Sequence, residues 1–244
     1  MPIKPDVRNL IERFLNNDIK TRNDVETVVL CGSYATERAT NRSDIDLCYF
    51  GDFPAFKREV IIYDNYEFQL MIAPWSWYKD VITNYERQEG NGGTITVMLA
   101  QGICVFGENE EWTNLSSIAK KYFSLGPSPS SERTLRGIQL RVTGLFDNYC
   151  DQQPYSINQS WLSFHLIECC IEAQFKIKNW WTVKPKYVLE ELQNRDPVMT
   201  DIVEGCLVSR GSDRETLHRL CMHVLESLGG FLRETMTIRD ESKQ

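Results

Sequence analysis

Apolar residues recur along this chain with two different periods, and the change from one to the other divides it. Val7, Leu10, Ile11, Phe14 and Leu15 stand at helical spacing and predict an amphipathic helix over Pro5 to Asn17. Glu26 to Cys31 and Ile45 to Phe50 are short runs apolar on both faces, as in central strands. Lys57 to Tyr63 and Tyr66 to Ile72 flank Asp64-Asn65, which predicts a tight hairpin. Trp75, Trp77, Tyr78, Val81, Ile82 and Tyr85 make one aromatic-rich helical face after Pro74, and Gly90-Asn91-Gly92-Gly93 breaks the pattern. Thr94 to Gln101 reads as a helix leading into a last strand within Gly102 to Glu108, and Glu110 to Phe123 closes this region with a helix.

After Ser124-Leu125-Gly126-Pro127-Ser128-Pro129-Ser130-Ser131, a linker by composition, period two does not return. Helices are expected over Glu132 to Cys150, Ile157 to Asn179, Lys186 to Asn194, Val198 to Val208 and Arg214 to Thr235, with breaks at Pro154, Pro185, Pro197 and Gly211. The expectation is an α+β chain: a small mixed-sheet domain over residues 1–125 and an all-α bundle over residues 126–244.

The chemistry concentrates in Val28-Val29-Leu30-Cys31-Gly32-Ser33, followed ten residues later by Asp44-Ile45-Asp46-Leu47. Side chains alternate along a strand, so Asp44 and Asp46 are expected on one face, and a divalent cation is the usual reason to place two like charges there. A Gly at the end of a strand lets backbone N–H groups approach a ligand, and the following Ser adds a hydroxyl, so Gly32 and Ser33 suit a triphosphate and the aspartates Mg²⁺. Glu67, between Tyr66 and Phe68 at a strand start, is a third candidate carboxylate, because burying it without a partner would cost several kcal/mol.

Apolar-Gly-Ser followed by Asp-apolar-Asp-apolar resembles the signature of the nucleotidyltransferase superfamily, the DNA polymerase beta-like fold. Within it the chain is most similar to the aminoglycoside and other antibiotic nucleotidyltransferases, which join such a domain to a helical one. That resemblance implies a Mg²⁺-dependent transfer of a nucleoside monophosphate, AMP from ATP, to a hydroxyl of a small molecule such as an aminoglycoside, with pyrophosphate released. By the same resemblance Glu67 is either general base or metal ligand, Asp147 corresponds to a helical-domain base, and Lys186 contacts ATP phosphate. One departure is that Asn158, Gln159 and Ser160 stand where aminoglycoside-binding members carry acidic residues. The alternative is a regulatory or toxin–antitoxin protein of the same fold that binds or adenylylates a protein partner.

Composition narrows the setting. With 42% hydrophobic and 25% charged residues over 244 positions the chain is an ordinary globular one. A net charge of −7 disfavours a nucleic-acid partner and suits a cationic small molecule. No apolar run is long enough to span a membrane, Met1-Pro2-Ile3-Lys4-Pro5-Asp6 lacks the apolar core of a signal peptide, and the expected location is cytoplasmic. The eight cysteines, mostly in apolar surroundings, read as small core residues in a reducing compartment. The expected state is a monomer or a homodimer.

Overall fold

A computed structural model describes residues 5–22, 24–88 and 92–233. The chain divides into two compact units, residues 1–128 and 129–244.

The first unit is built on a five-stranded sheet of order β3-β4-β2-β1-β5, formed by β1 (Val25–Cys31), β2 (Ile45–Gly51), β3 (Lys57–Tyr63), β4 (Tyr66–Pro74) and β5 (Ile103–Phe106). The sheet is mixed: β2 and β4 run parallel, and the other neighbours are antiparallel. The hairpin between β3 and β4 turns on Asp64 and Asn65 at φ of 52° and 64°. Two successive left-handed residues match the right-handed strand twist of a two-residue hairpin, and Asn and Asp tolerate that region best after Gly.

Alternation along the strands separates two apolar layers. Val28, Leu30, Ile45, Leu47, Phe68 and Leu70 face helix α1 (Pro5–Asp18), whose Leu10, Ile11 and Phe14 fill the layer, and Phe14 stacks on Phe68 with ring centroids 4.0 Å apart. Val29, Cys31, Cys48, Phe50 and Ala73 face the opposite way. They pack with Tyr78 of α3 (Trp75–Asp80), Leu99 of α5 (Thr94–Ala100) and Ala119 of α6 (Glu110–Leu125). The aromatic helix predicted after Pro74 therefore divides its residues: Tyr78 and Ile82 are core, whereas Tyr85 is exposed. Helix α3 runs on through a π turn, Val81–Tyr85, into α4 (Glu86–Gln88). Glu86 folds back on α5, accepting hydrogen bonds from the backbone N–H groups of Ile95 and Thr96 at 2.7 Å each. It thereby satisfies two of the donors that a helix start leaves without intrahelical partners. Gly90 and Asn91 of the expected break lie outside the described residues.

The second unit is helical among its described residues: α7 (Glu132–Cys150), α8 (Ile157–Ile177), α9 (Val188–Arg195), α10 (Pro197–Val208) and α11 (Arg214–Leu225). Ser131, Ser156, Asp196 and Asp213 cap α7, α8, α10 and α11 through side-chain oxygens. Asp196 also joins three helices, accepting from Gln174 Nε2 at 2.6 Å and lying 2.8 Å from His223 Nε2. Two expectations need correction. Lys186 sits in a 3₁₀ turn, Pro185–Tyr187, that directly precedes α9, and not in the helix itself. The last helix stops at Leu225, short of the expected Thr235, because a 3₁₀ turn and left-handed Gly229 and Gly230 divert the chain; residues 234 and 235 lie outside the described range. All eight cysteines are free thiols, and among the described residues no helix is long and apolar enough to cross a membrane.

Candidate active site

β1 ends where the chain must pass close to β2. Gly32 opens a four-residue helix, α2 (Gly32–Ala35), at φ +66°, and a Cβ there would lie 2.1 Å from Asp46 Oδ2. Only glycine allows both the left-handed turn and that approach. The phosphate-type turn and the acidic strand are thus locked together by backbone packing. Among the described residues the Ser33 hydroxyl makes no hydrogen bond, whereas its backbone carbonyl accepts from Arg38 N–H at 2.9 Å. Beneath Asp46 the Cys31 thiol donates to Cys48 Sγ at 3.6 Å. That bond, burial and the Asp46 carboxylate all push the Cys31 thiol upward, so this wall stays uncharged.

Asp46 is the second residue of β2 and buried, while Asp44 precedes the strand and is half-buried. The expectation that both carboxylates sit on the strand is corrected to this extent. In the parallel pair Ile45 lies opposite Phe68 and Asp46 opposite Gln69, so Asp44, one residue before β2, comes level with Glu67, the second residue of β4. Both line one cleft of about 930 Å³, with Tyr34, Glu37, Thr40, Arg42, Ser43, Asn65 and Tyr66. Its loop is held by Thr40 N–H donating to Ser43 Oγ at 2.9 Å and Ser43 N–H donating to the Thr40 carbonyl at 3.0 Å.

Glu67 is exposed, which removes the burial argument that singled it out: Phe68 is buried on the α1 side, and alternation turns Glu67 outward. Its Oε1 accepts from Gln69 Nε2 at 2.8 Å, and Arg58 Nη2 donates to Gln69 Oε1. Gln69 and Arg58 escaped the sequence reading, whereas Arg42, which the sequence favours as a solvated loop charge over a phosphate contact, lines the cleft. The only hint for Gln69 is a polar residue two positions after Glu67 in an otherwise apolar strand.

Asp147 and Lys186 belong to the second unit. Asp147 accepts from Arg233 Nη1 at 2.9 and 2.7 Å through its two oxygens. Lys186 is exposed, with Nζ 4.9 Å from the Tyr187 ring centroid.

Among the described residues no three His, Cys, Asp or Glu side chains converge as a ready-made metal cage. Mg²⁺ does not need one, since it usually takes one or two carboxylates and completes its shell with phosphate and water. Asp44, Asp46 and Glu67 offer the hard oxygen donors that this requires.

Residues 13–111 match the family model described as polymerase beta, nucleotidyltransferase, a span that lies wholly within the first unit. No curated protein matches the chain. A solved nucleotidyltransferase-like protein from Exiguobacterium sibiricum aligns over 91% of this chain and 75% of its own, with 14% identity and a TM-score of 0.44. Over residues 13–111 the chain is similar to the polymerase beta nucleotidyltransferase family.

Proposed function

We propose that the protein transfers a nucleoside monophosphate, AMP from ATP, to a hydroxyl of a small molecule and releases pyrophosphate. The observation that carries this reading is the contact between Gly32 and Asp46, which fixes a phosphate-type turn against an acidic strand. In this reading Asp44 and Asp46 hold Mg²⁺, with Glu67 as a further ligand or as the base. Bound there, Mg²⁺ would neutralise charge on the triphosphate oxygens.

The chain's own residues bind and orient. Backbone N–H groups at Gly32 and Ser33, with the Ser33 hydroxyl, align the triphosphate for in-line attack. The acceptor oxygen forms a bond to the α phosphorus, the bond to the β phosphate bridge breaks, and the hydroxyl proton passes to a carboxylate. Glu67 is the better placed base, because Gln69 engages only one of its oxygens, whereas Asp147 is held by Arg233 through both.

Glu37, Asp44 and Glu67 against Arg42 make the cleft acidic, which favours a cationic acceptor, aminoglycoside-type compounds included. The free thiols suit a reducing, cytoplasmic setting. The test is a panel of hydroxyl compounds, cationic and neutral, incubated with ATP and Mg²⁺ and followed by pyrophosphate release and mass of the product. An acceptor that gains AMP supports the reading. Self-modification of the protein, or of an added protein, with every small hydroxyl inert would overturn the small-molecule acceptor.

A further inference from the structure

Arg58, Gln69 and Glu67 form a chain of hydrogen bonds whose direction is fixed by chemistry. A guanidinium can only donate, so Arg58 must meet the amide oxygen of Gln69. The Gln69 amide nitrogen is then left facing Glu67, to which it donates at 2.8 Å. Gln69 is also the lateral neighbour of Asp46 in the parallel β2–β4 pair. It therefore stands between the two carboxylates that the proposed reaction needs on this side of the sheet. An acid at this position would set three like charges in adjacent places, whereas an amide supplies a donor without charge.

Stability gives little reason for the relay. Its flanks on edge strand β3 are Ile62, opposite Glu67, and Val60, opposite Gln69, and these are 69% and 57% exposed. Polar contacts in such an open place contribute little to folding, since water competes for every group. What the relay does achieve is to restrict a flexible, exposed Glu to one orientation, with Oε1 engaged and Oε2 open.

We infer that Gln69, oriented by Arg58, is a positioning residue that aims Glu67 at the acceptor hydroxyl. The inference rests on Glu67 being the base in the proposed reaction. Gln69 touches no reacting atom in this account and acts through Glu67.

The test is a double-mutant cycle on the full chain, with pyrophosphate release from ATP and Mg²⁺ measured with water as acceptor. Gln69→Met, which keeps size and removes both hydrogen bonds, should lower kcat about tenfold with KM for ATP unchanged, the scale expected of a misaimed group. In a Glu67→Gln background the same change should cost nothing further, because there is no base left to aim. A second readout needs no turnover: the Gln69 side-chain amide resonances, identified by their loss in Gln69→Met, should shift in Arg58→Met and in Glu67→Ala. Parental kcat in Gln69→Met, an equal loss in both backgrounds, a parallel rise in KM, or unmoved amide resonances would each overturn the inference while leaving Glu67 as base. Parental kcat in Glu67→Gln would instead overturn the base assignment, and the inference with it.

Discussion

Gly32 carries two constraints at once, and each predicts what a methyl group would do. At φ +66° a Cβ is strained, and at 2.1 Å from Asp46 Oδ2 it forces the carboxylate aside. Gly32→Ala should therefore cost about 1–3 kcal/mol in urea unfolding and weaken Mg-dependent ATP binding measured by calorimetry. Parental ATP affinity in a folded variant would place the triphosphate elsewhere. Gly32, Asp44 and Asp46 stand out as candidates in the sequence because the signals are local: a turn residue after an apolar run, and two carboxylates one residue apart. Glu67 was singled out for a burial that the strand's alternation denies it. Gln69 and Arg58 were not legible, because their partnership depends on strand register, which a single sequence does not display. The Arg233 clamp on Asp147 joins positions 86 residues apart and was equally hidden.

Helix α1 is fastened to the sheet by a charge network at its end. Arg22 donates to both oxygens of Asp18, at 2.8 and 3.1 Å, and to Glu59 Oε2 on β3 at 2.5 Å, while Tyr49 on β2 donates to Asp18 at 2.9 Å. The bond from Arg22, with help from Lys57, outweighs burial and holds the Glu59 carboxyl down to about 2. A depressed folded-state value means that this contribution is complete above the ordinary value, near 4.3, and is lost as pH falls toward 2. Thermal midpoints between pH 6 and 2.5 should accordingly fall more steeply for the parent than for Glu59→Gln; parallel curves would show that the network adds no pH-dependent stability. Glu86 offers a second test, since Glu86→Ala strips the acceptor from two N–H groups of α5. A loss of about 2 kcal/mol in urea unfolding is expected, and none would mean that solvent replaces it. The strands and most helices were readable from periodicity, and Asp64-Asn65 from turn chemistry. The end of α11 was misread because apolar spacing continues past Gly229, where backbone conformation, and not pattern, ends the helix.

The two units divide the account between them. Residues 13–111 of the first are similar to the polymerase beta nucleotidyltransferase family. The second is a capped helical assembly, and the parts proposed for Asp147 and Lys186 rest on resemblance alone. The small hydroxyl acceptor belongs to the proposal, and a net charge of −7 accords with it. Everything in this reading passes through the carboxylate pair beside Gly32. Pyrophosphate release from ATP, measured with and without Mg²⁺ for the parent and for Asp46→Asn, tests that pair. The near-isosteric amide should leave the fold intact and remove nearly all of a Mg²⁺-dependent activity, whereas release within about tenfold of the parent, or release indifferent to Mg²⁺, would contradict the assignment.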